Sequence, residues 1–216
     1  MPVSAPTTIV SDFGGVLTTP LTDAFAGFVA DTGLSLAELG AALGAIERDR
    51  GINPIFELET GELAADAFDH ALTDALSAAS GRTIEHRPFG PLFFAHLHPN
   101  TEMIELMRDL KGRGYLMGLC TNNVREWEPL WRAMVPVQEI FSTVVDSGFV
   151  GVRKPDPEIY TLTLERLGVE AGNVLFVDDM EINCDAARHL GMQAVQFTSN
   201  AQTIPAIEAA LASPAV

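Results

Sequence analysis

Apolar positions along this chain change their period several times, and the changes divide it into short strands and amphipathic helices. Five short apolar runs, at 8–11, 115–120, 143–145, 174–177 and 194–197, lack strict alternation. That pattern predicts strands buried on both faces. Helical spacing separates them. Met103, Leu106, Met107 and Leu110 precede the second run. Ile159, Leu162 and Leu167, with Tyr160 and Leu164, precede the fourth, and Ala186 and Leu190 the fifth. Strands alternating with helices predict an α/β fold with a doubly wound parallel sheet. In such sheets ligands bind beyond the carboxyl ends of the strands.

Between the first and second runs the pattern is helical only. Phe25, Phe28 and Val29 share one face, and Ser35 with Glu38 forms a capping-box pattern. Leu36, Leu39, Leu43 and Ile46 follow it, and the 61–80 stretch carries Leu63, Phe68, Leu72 and Leu76. The predicted organisation is a core domain of 1–18 plus 96–216 and a helical cap domain of 19–95. The 53–62 segment interrupts the helical period. It is read as an acidic turn, with Thr60 a candidate N-cap for the helix that follows.

Composition narrows the classes. Hydrophobic residues make up 47% of the 216, enough for a substantial core. The 29 acidic and 13 basic residues leave a net charge of −16, which disfavours nucleic-acid backbones and anionic membrane surfaces. Cys120 and Cys184 lack CxxC spacing and read as reduced thiols of a cytoplasmic protein. The first residues have neither a basic start nor a long apolar run, so no signal peptide is expected.

Candidate chemistry clusters after the predicted strands: Asp12 after the first, Thr121 after the second, Lys154 in the loop after the third, and Asp178-Asp179 after the fourth. Carboxylates from two strands suit Mg²⁺, a cation of oxygen ligands. A carboxylate can also attack phosphorus, while an amine and a hydroxyl steady the phosphoryl oxygens.

The chain resembles the haloacid dehalogenase superfamily, in the group with a helical cap after the first strand. The motifs run in order: Asp12-Phe13-Gly14-Gly15-Val16-Leu17-Thr18, Thr121-Asn122-Asn123, Arg153-Lys154-Pro155-Asp156 and Asp178-Asp179-Met180-Glu181-Ile182-Asn183. The resemblance implies that Asp12 is the nucleophile. It implies Mg²⁺ held by Asp12, the Gly14 carbonyl, Asp179 and the supporting Asp178. Thr121 and Lys154 would act on the phosphoryl group, with Gly15 and Asn122 contributing to substrate binding. Asn183 sits where the family often has a further polar group near the metal. The expected ligand is a small phosphorylated metabolite, on a monomer or homodimer.

One departure stands out. Phosphatases of the family usually carry an acid/base aspartate two residues after the nucleophile, and here that residue is Gly14. A general acid typically contributes 10²–10⁴-fold. The similar Asp-x-Gly subgroup, and the acidic leaving hydroxyl of sugar 1-phosphates, point to a sugar phosphate. Glu57 or Glu59 in the cap segment is the candidate replacement donor and substrate contact. Two rivals accompany this reading: a 2-haloacid dehalogenase-like hydrolase, and a weakly catalytic protein that binds a phosphorylated ligand. Dehalogenases of the family replace the acidic fourth motif, which is intact here. Phosphonate hydrolysis would call for a cap lysine, and 19–99 contains none.

The remaining polar and aromatic residues have plainer readings. Arg153 reads as a surface or loop-pinning residue, Asp185 as surface, Cys120 as core, and Trp127 with Trp131 as one packed helix face ahead of a substrate platform. His96 and His98 lack partners at zinc-ligand spacing.

Overall fold

The structure is a computed structural model that describes residues 5–212. Five parallel strands form one sheet in the order β3-β2-β1-β4-β5. They are β1 (Thr8–Ser11), β2 (Leu116–Thr121), β3 (Thr143–Asp146), β4 (Val174–Asp178) and β5 (Gln193–Gln196). The helices are α1 (Leu21–Thr32), α2 (Leu36–Arg50), α3 (Pro54–Thr60), α4 (Ala65–Ser80), α5 (Phe89–Phe94) and α6 (Thr101–Gly112). There follow α7 (Glu128–Arg132), α8 (Val137–Ile140), α9 (Ser147–Val150), α10 (Pro157–Leu167), α11 (Glu181–His189) and α12 (Asn200–Ala212).

The five predicted runs all become strands, four of them offset or extended by a residue. Alternate residues of each strand face opposite layers. Ile9, Met117, Leu119, Leu175 and Val177 share a core with Met103, Met107 and Leu110 of α6 and with Ile207 and Leu211 of α12. Val10, Cys120, Val145 and Phe176 pack with Ile159 and Tyr160 of α10 and Ala187 of α11. Burial on both faces is why these runs are apolar without alternation.

The helical stretch leaves and rejoins the sheet layer through one narrow neck. Thr18 and Pro99 form an antiparallel bridge, and the Thr19 amide donates to the His98 carbonyl. The insert has no separate core. Phe28 of α1, Leu58 of α3 and Phe68 of α4 belong to the same apolar cluster as Phe13, Val16 and Leu17 after β1. Ser35 and Glu38 do form a reciprocal capping box at the start of α2. Leu36, predicted on the buried face of α2, is 58% exposed.

Three local expectations are corrected. The 53–62 segment is a helix, not a turn: Asn53 caps α3 by accepting from the Ile55 amide, and Pro54 stands at N1. Thr60 closes this helix instead of opening the next, its hydroxyl donating to the Phe56 carbonyl. Trp127 and Trp131 do not share one helix face. Trp127 ends the 3₁₀ turn Arg125–Trp127, and Trp131 lies buried in α7, with its ring 5.3 Å from Phe13. Helices α5 and α12 were not foreseen.

No single helix is long and apolar enough to cross a membrane, among the described residues. Both cysteines are free and buried.

Candidate active site

The crevice sits where β1, β2 and β4 end together. Register pairs Ser11 with Leu119 and with Val177, so Asp12 and Asp178 emerge side by side, and Thr121 stands two residues further along β2. The Asp12 amide donates to the Val177 carbonyl, which carries the sheet ladder one step into the site.

Lys154 organises the floor. Its Nζ lies 2.8 Å from Asp12 Oδ1 and 2.6 Å from Asp178 Oδ2, and the residue is 1% exposed. Burial alone would push this ammonium down; the two adjacent carboxylates overcome that and hold it well above the ordinary lysine range. The loop bearing it is fixed by Asn122, whose side chain accepts from the Lys154 amide at 2.8 Å and donates to its carbonyl at 3.0 Å. Asn122 is thus a clamp on the lysine loop. Asp178 is saturated as well: its Oδ1 accepts from the Met180 amide and from Asn183 Nδ2, both at 2.9 Å. Asn183 therefore positions Asp178, and its own carbonyl accepts from the Tyr160 hydroxyl.

Asp179 approaches the backbone after the first strand. Gly15 has φ +74, and a Cβ there would run into the Asp179 carboxylate. The glycine supplies both the left-handed turn and the clearance. Asp12, Asp178 and Asp179 each offer an oxygen, and these atoms lie within 4.8 Å of one another. Burial pushes the Asp12 carboxyl up, and Asp178 and Asp179 add to this against Lys154. Burial and Asp178 likewise push up Asp179. Three clustered acids against one lysine leave an excess of negative charge. The other metal-competent trio among the described residues is exposed: Asp66, His70 and His86 of the insert. His96 instead pairs with Asp31 at 2.7 Å.

The insert roofs the crevice. Above Phe13 and Gly14 lies a cavity of about 600 Å³, its open mouth included, walled by α1, α3, α5 and the Trp127 turn. Its aromatic side chains include Phe25, Phe89, Phe93, Phe94 and Trp127. Trp127 stands on the cavity wall, nearer the platform reading than the helix-face one. The lining residues from 88–99 were missed. Their segment is too short to show a period, although the density of Phe between 89 and 94 was a usable signal.

The two cap acids part company. Glu57 does not face the cavity: Arg50 holds it at 2.5 and 2.8 Å, and this hydrogen bonding keeps its carboxyl below the ordinary range. Glu59 does line the cavity and pairs with Arg153 at 2.6 Å, tying α3 to the lysine loop. Burial pushes the Glu59 carboxyl up against the pull of Arg153. Arg153 therefore joins insert and core rather than pinning only its own loop. Asp185 pairs with exposed Arg188, as a surface residue would.

The model of the haloacid dehalogenase-like hydrolases matches residues 6–191. The chain belongs to this family. It is 27% identical over 209 residues to the sesquiterpene phosphatase astK of Aspergillus oryzae, covering 90% of this chain and 91% of that protein. It is 32% identical over 107 residues to a glyceraldehyde 3-phosphate phosphatase of Methanopyrus kandleri, covering 48% and 45%. A HAD family enzyme of Bacteroides thetaiotaomicron, solved with magnesium and inorganic phosphate, shares the fold at TM-score 0.66 and 21% identity, covering 89% and 94%. This haloacid dehalogenase-like hydrolase thus pairs a charged floor with an aromatic roof.

Proposed function

We propose that this hydrolase is a Mg²⁺-dependent phosphomonoesterase that transfers the phosphoryl group through Asp12. One observation carries the reading: a buried lysine bridges Asp12 and Asp178 while a third acid, Asp179, completes an oxygen cluster beside them. The hard oxygen donors and the unbalanced negative charge fit Mg²⁺. Asp12, Asp179 and the Gly14 carbonyl would hold the ion, with Asp178 in support. When bound, it neutralises charge on the phosphoryl oxygens.

The chain's own residues supply the rest. The Asp12 carboxylate attacks phosphorus, and the bond to the leaving oxygen breaks as the aspartyl phosphate forms. Lys154 holds Asp12 in line and offsets charge on the phosphoryl group, and Thr121 binds its oxygens. Water then cleaves the acyl phosphate, releasing phosphate and free Asp12. Gly14 cannot donate a proton to the leaving oxygen. Glu59 takes that role, since it shares the cavity with Gly14 and burial favours its protonated form.

The cap comprises 19–95 and closes over the substrate. The narrow neck at Thr18 and Pro99 supports this division. The free buried thiols are in keeping with a reducing, cytoplasmic setting. Similarity to named phosphatases supports a small phosphorylated substrate.

The test is to trap the intermediate. Enzyme quenched in acid during turnover of a phosphomonoester should carry hydroxylamine-labile phosphate on Asp12 in a peptide map. Steady turnover with no phosphate on Asp12 would refute the covalent route.

A further inference from the structure

The floor binds what all phosphomonoesters share; the roof meets what distinguishes them. Resting on the phosphatase reading, we propose that the leaving group is a hydrocarbon chain or ring system, making the substrate a lipophilic monophosphate rather than a sugar phosphate. Phe25, Phe93, Phe94 and Trp127, with Leu21 and Leu97, form an apolar enclosure that opens on Gly14, two residues from the nucleophile.

The roof is one packed aromatic unit. Phe25 stands 5.0 Å from Phe93, Phe89 5.8 Å from Trp127, and Phe94 6.0 Å from Trp127, centroid to centroid. Trp127 comes from the core side and lies directly on the α5 backbone at Gly90, where a Cβ would collide with the indole. The position two after the nucleophile is apolar too: a Cβ on Gly14 would lie 3.2 Å from Leu21 Cδ2. Apart from Glu59, Asn122 and Asn123, the surface facing the leaving group is therefore hydrocarbon.

Most polar atoms of the side chains on the wall are already engaged. Glu59 is paired with Arg153 at 2.6 Å. Asn122 spends its carbonyl and its amide on the Lys154 backbone. The Asn123 side-chain oxygen accepts from the Val124 amide at 2.9 Å. A polyhydroxylated leaving group would give up its water with few partners in return, which is costly. A hydrocarbon gives up nothing and gains from burial.

Unbranched alkyl compounds isolate this effect, because lengthening the chain scarcely alters the acidity of the leaving alcohol. The wild-type enzyme with Mg²⁺ is assayed on ethyl, butyl, hexyl and octyl phosphate below their micelle concentrations, beside glycerol phosphate and glucose phosphate. We expect kcat/KM to rise about threefold for each added methylene until the cavity fills, consistent with ordinary apolar burial. Glycerol and glucose phosphate should fall below hexyl phosphate by at least about 30-fold. A flat or falling alkyl series, or sugar phosphates preferred over hexyl phosphate, overturns the proposal. A second arm does not need turnover. Titration calorimetry with the unhydrolysable ethyl- to octylphosphonates should show affinity climbing with length. If no phosphate ester turns over, the phosphatase reading fails while the phosphonate series still decides the cavity's ligand. Equal affinity for ethyl- and octylphosphonate overturns the hydrocarbon site by itself.

Discussion

The floor and the roof of this site are built from opposite chemistry within one cavity. On the floor, buried Lys154 and Asp178 are ion-paired with each other, with Asn122 and Asn183 holding the lysine loop and the Asp178 carboxylate in place. On the roof, side chains meet ring to ring, and Glu59, which lines the cavity, is ion-paired with Arg153. Charges on the floor cannot shift without leaving an uncompensated buried ion, so its geometry is rigid. Apolar contacts are less directional and depend on area and fit, so the roof can be resurfaced without dismantling the chemistry. The difference teaches a division of labour under the proposed function: the strand ends would specify the reaction, and the insert the substrate.

That division breaks most severely at Lys154. Lys154→Met leaves Asp12, Asp178 and Asp179 without their shared cation. Metal-free protein should lose about 3–5 kcal/mol of unfolding free energy, measured by urea titration, and Mg²⁺ should restore part of it. A variant as stable as wild type without metal would contradict the role given to the lysine.

Glu59 joins the two regions, and its effect should depend on the substrate. Glu59→Gln should lower kcat on an alkyl phosphate by about 10²-fold. The loss on p-nitrophenyl phosphate should be several-fold smaller, since that leaving group needs no proton. Equal losses on both would make Glu59 only a tie between α3 and Arg153. Glu57→Gln, acting on a residue held by Arg50, should leave the ratio between the two substrates unchanged.

A buried acid outside the lysine pair provides the last contrast. Asp146 ends β3, and burial pushes its carboxyl up to about 6 despite a hydrogen bond from the Gly148 amide. The folded state thus binds this proton more tightly than the unfolded chain does, whose carboxyl titrates near 3.9. The stabilisation is present in full below about pH 4 and is lost as pH rises to about 6. Asp146→Asn keeps an acceptor for Gly148 and removes the ionisation. Relative to wild type, the variant should gain up to about 3 kcal/mol between pH 4 and pH 7, read from unfolding free energies in denaturant. An identical pH dependence in both proteins would contradict it.

The same contrast explains what could be read in the sequence. Asp12, Thr121, Lys154 and Asp178-Asp179 were legible because each follows an apolar run, and parallel strands end together. The Ser35–Glu38 box and the long periods of α2, α4, α6 and α10 were legible for the same local reasons. The roof was not. Helices α3 and α5 span only seven and six residues, too few turns to show a period. Phe94 and Trp127 meet only through tertiary packing, which brings the end of the insert against a core loop. Glu57 and Glu59 were indistinguishable as acids two residues apart. The helical turn sends them in different directions, one to Arg50 within the insert and one to Arg153 on the core. Asn122 and Asn183 looked like ligand-facing polar residues; the backbone and carboxylate that they fix are visible only in three dimensions.

The most direct test of the charged floor is p-nitrophenyl phosphate hydrolysis by wild type and Asp12→Asn, each with Mg²⁺ and with chelator. The account predicts turnover by wild type with Mg²⁺ alone, falling by at least about 10³-fold in the variant or on chelation. Turnover that survives both the chelator and the loss of the Asp12 carboxylate would contradict it.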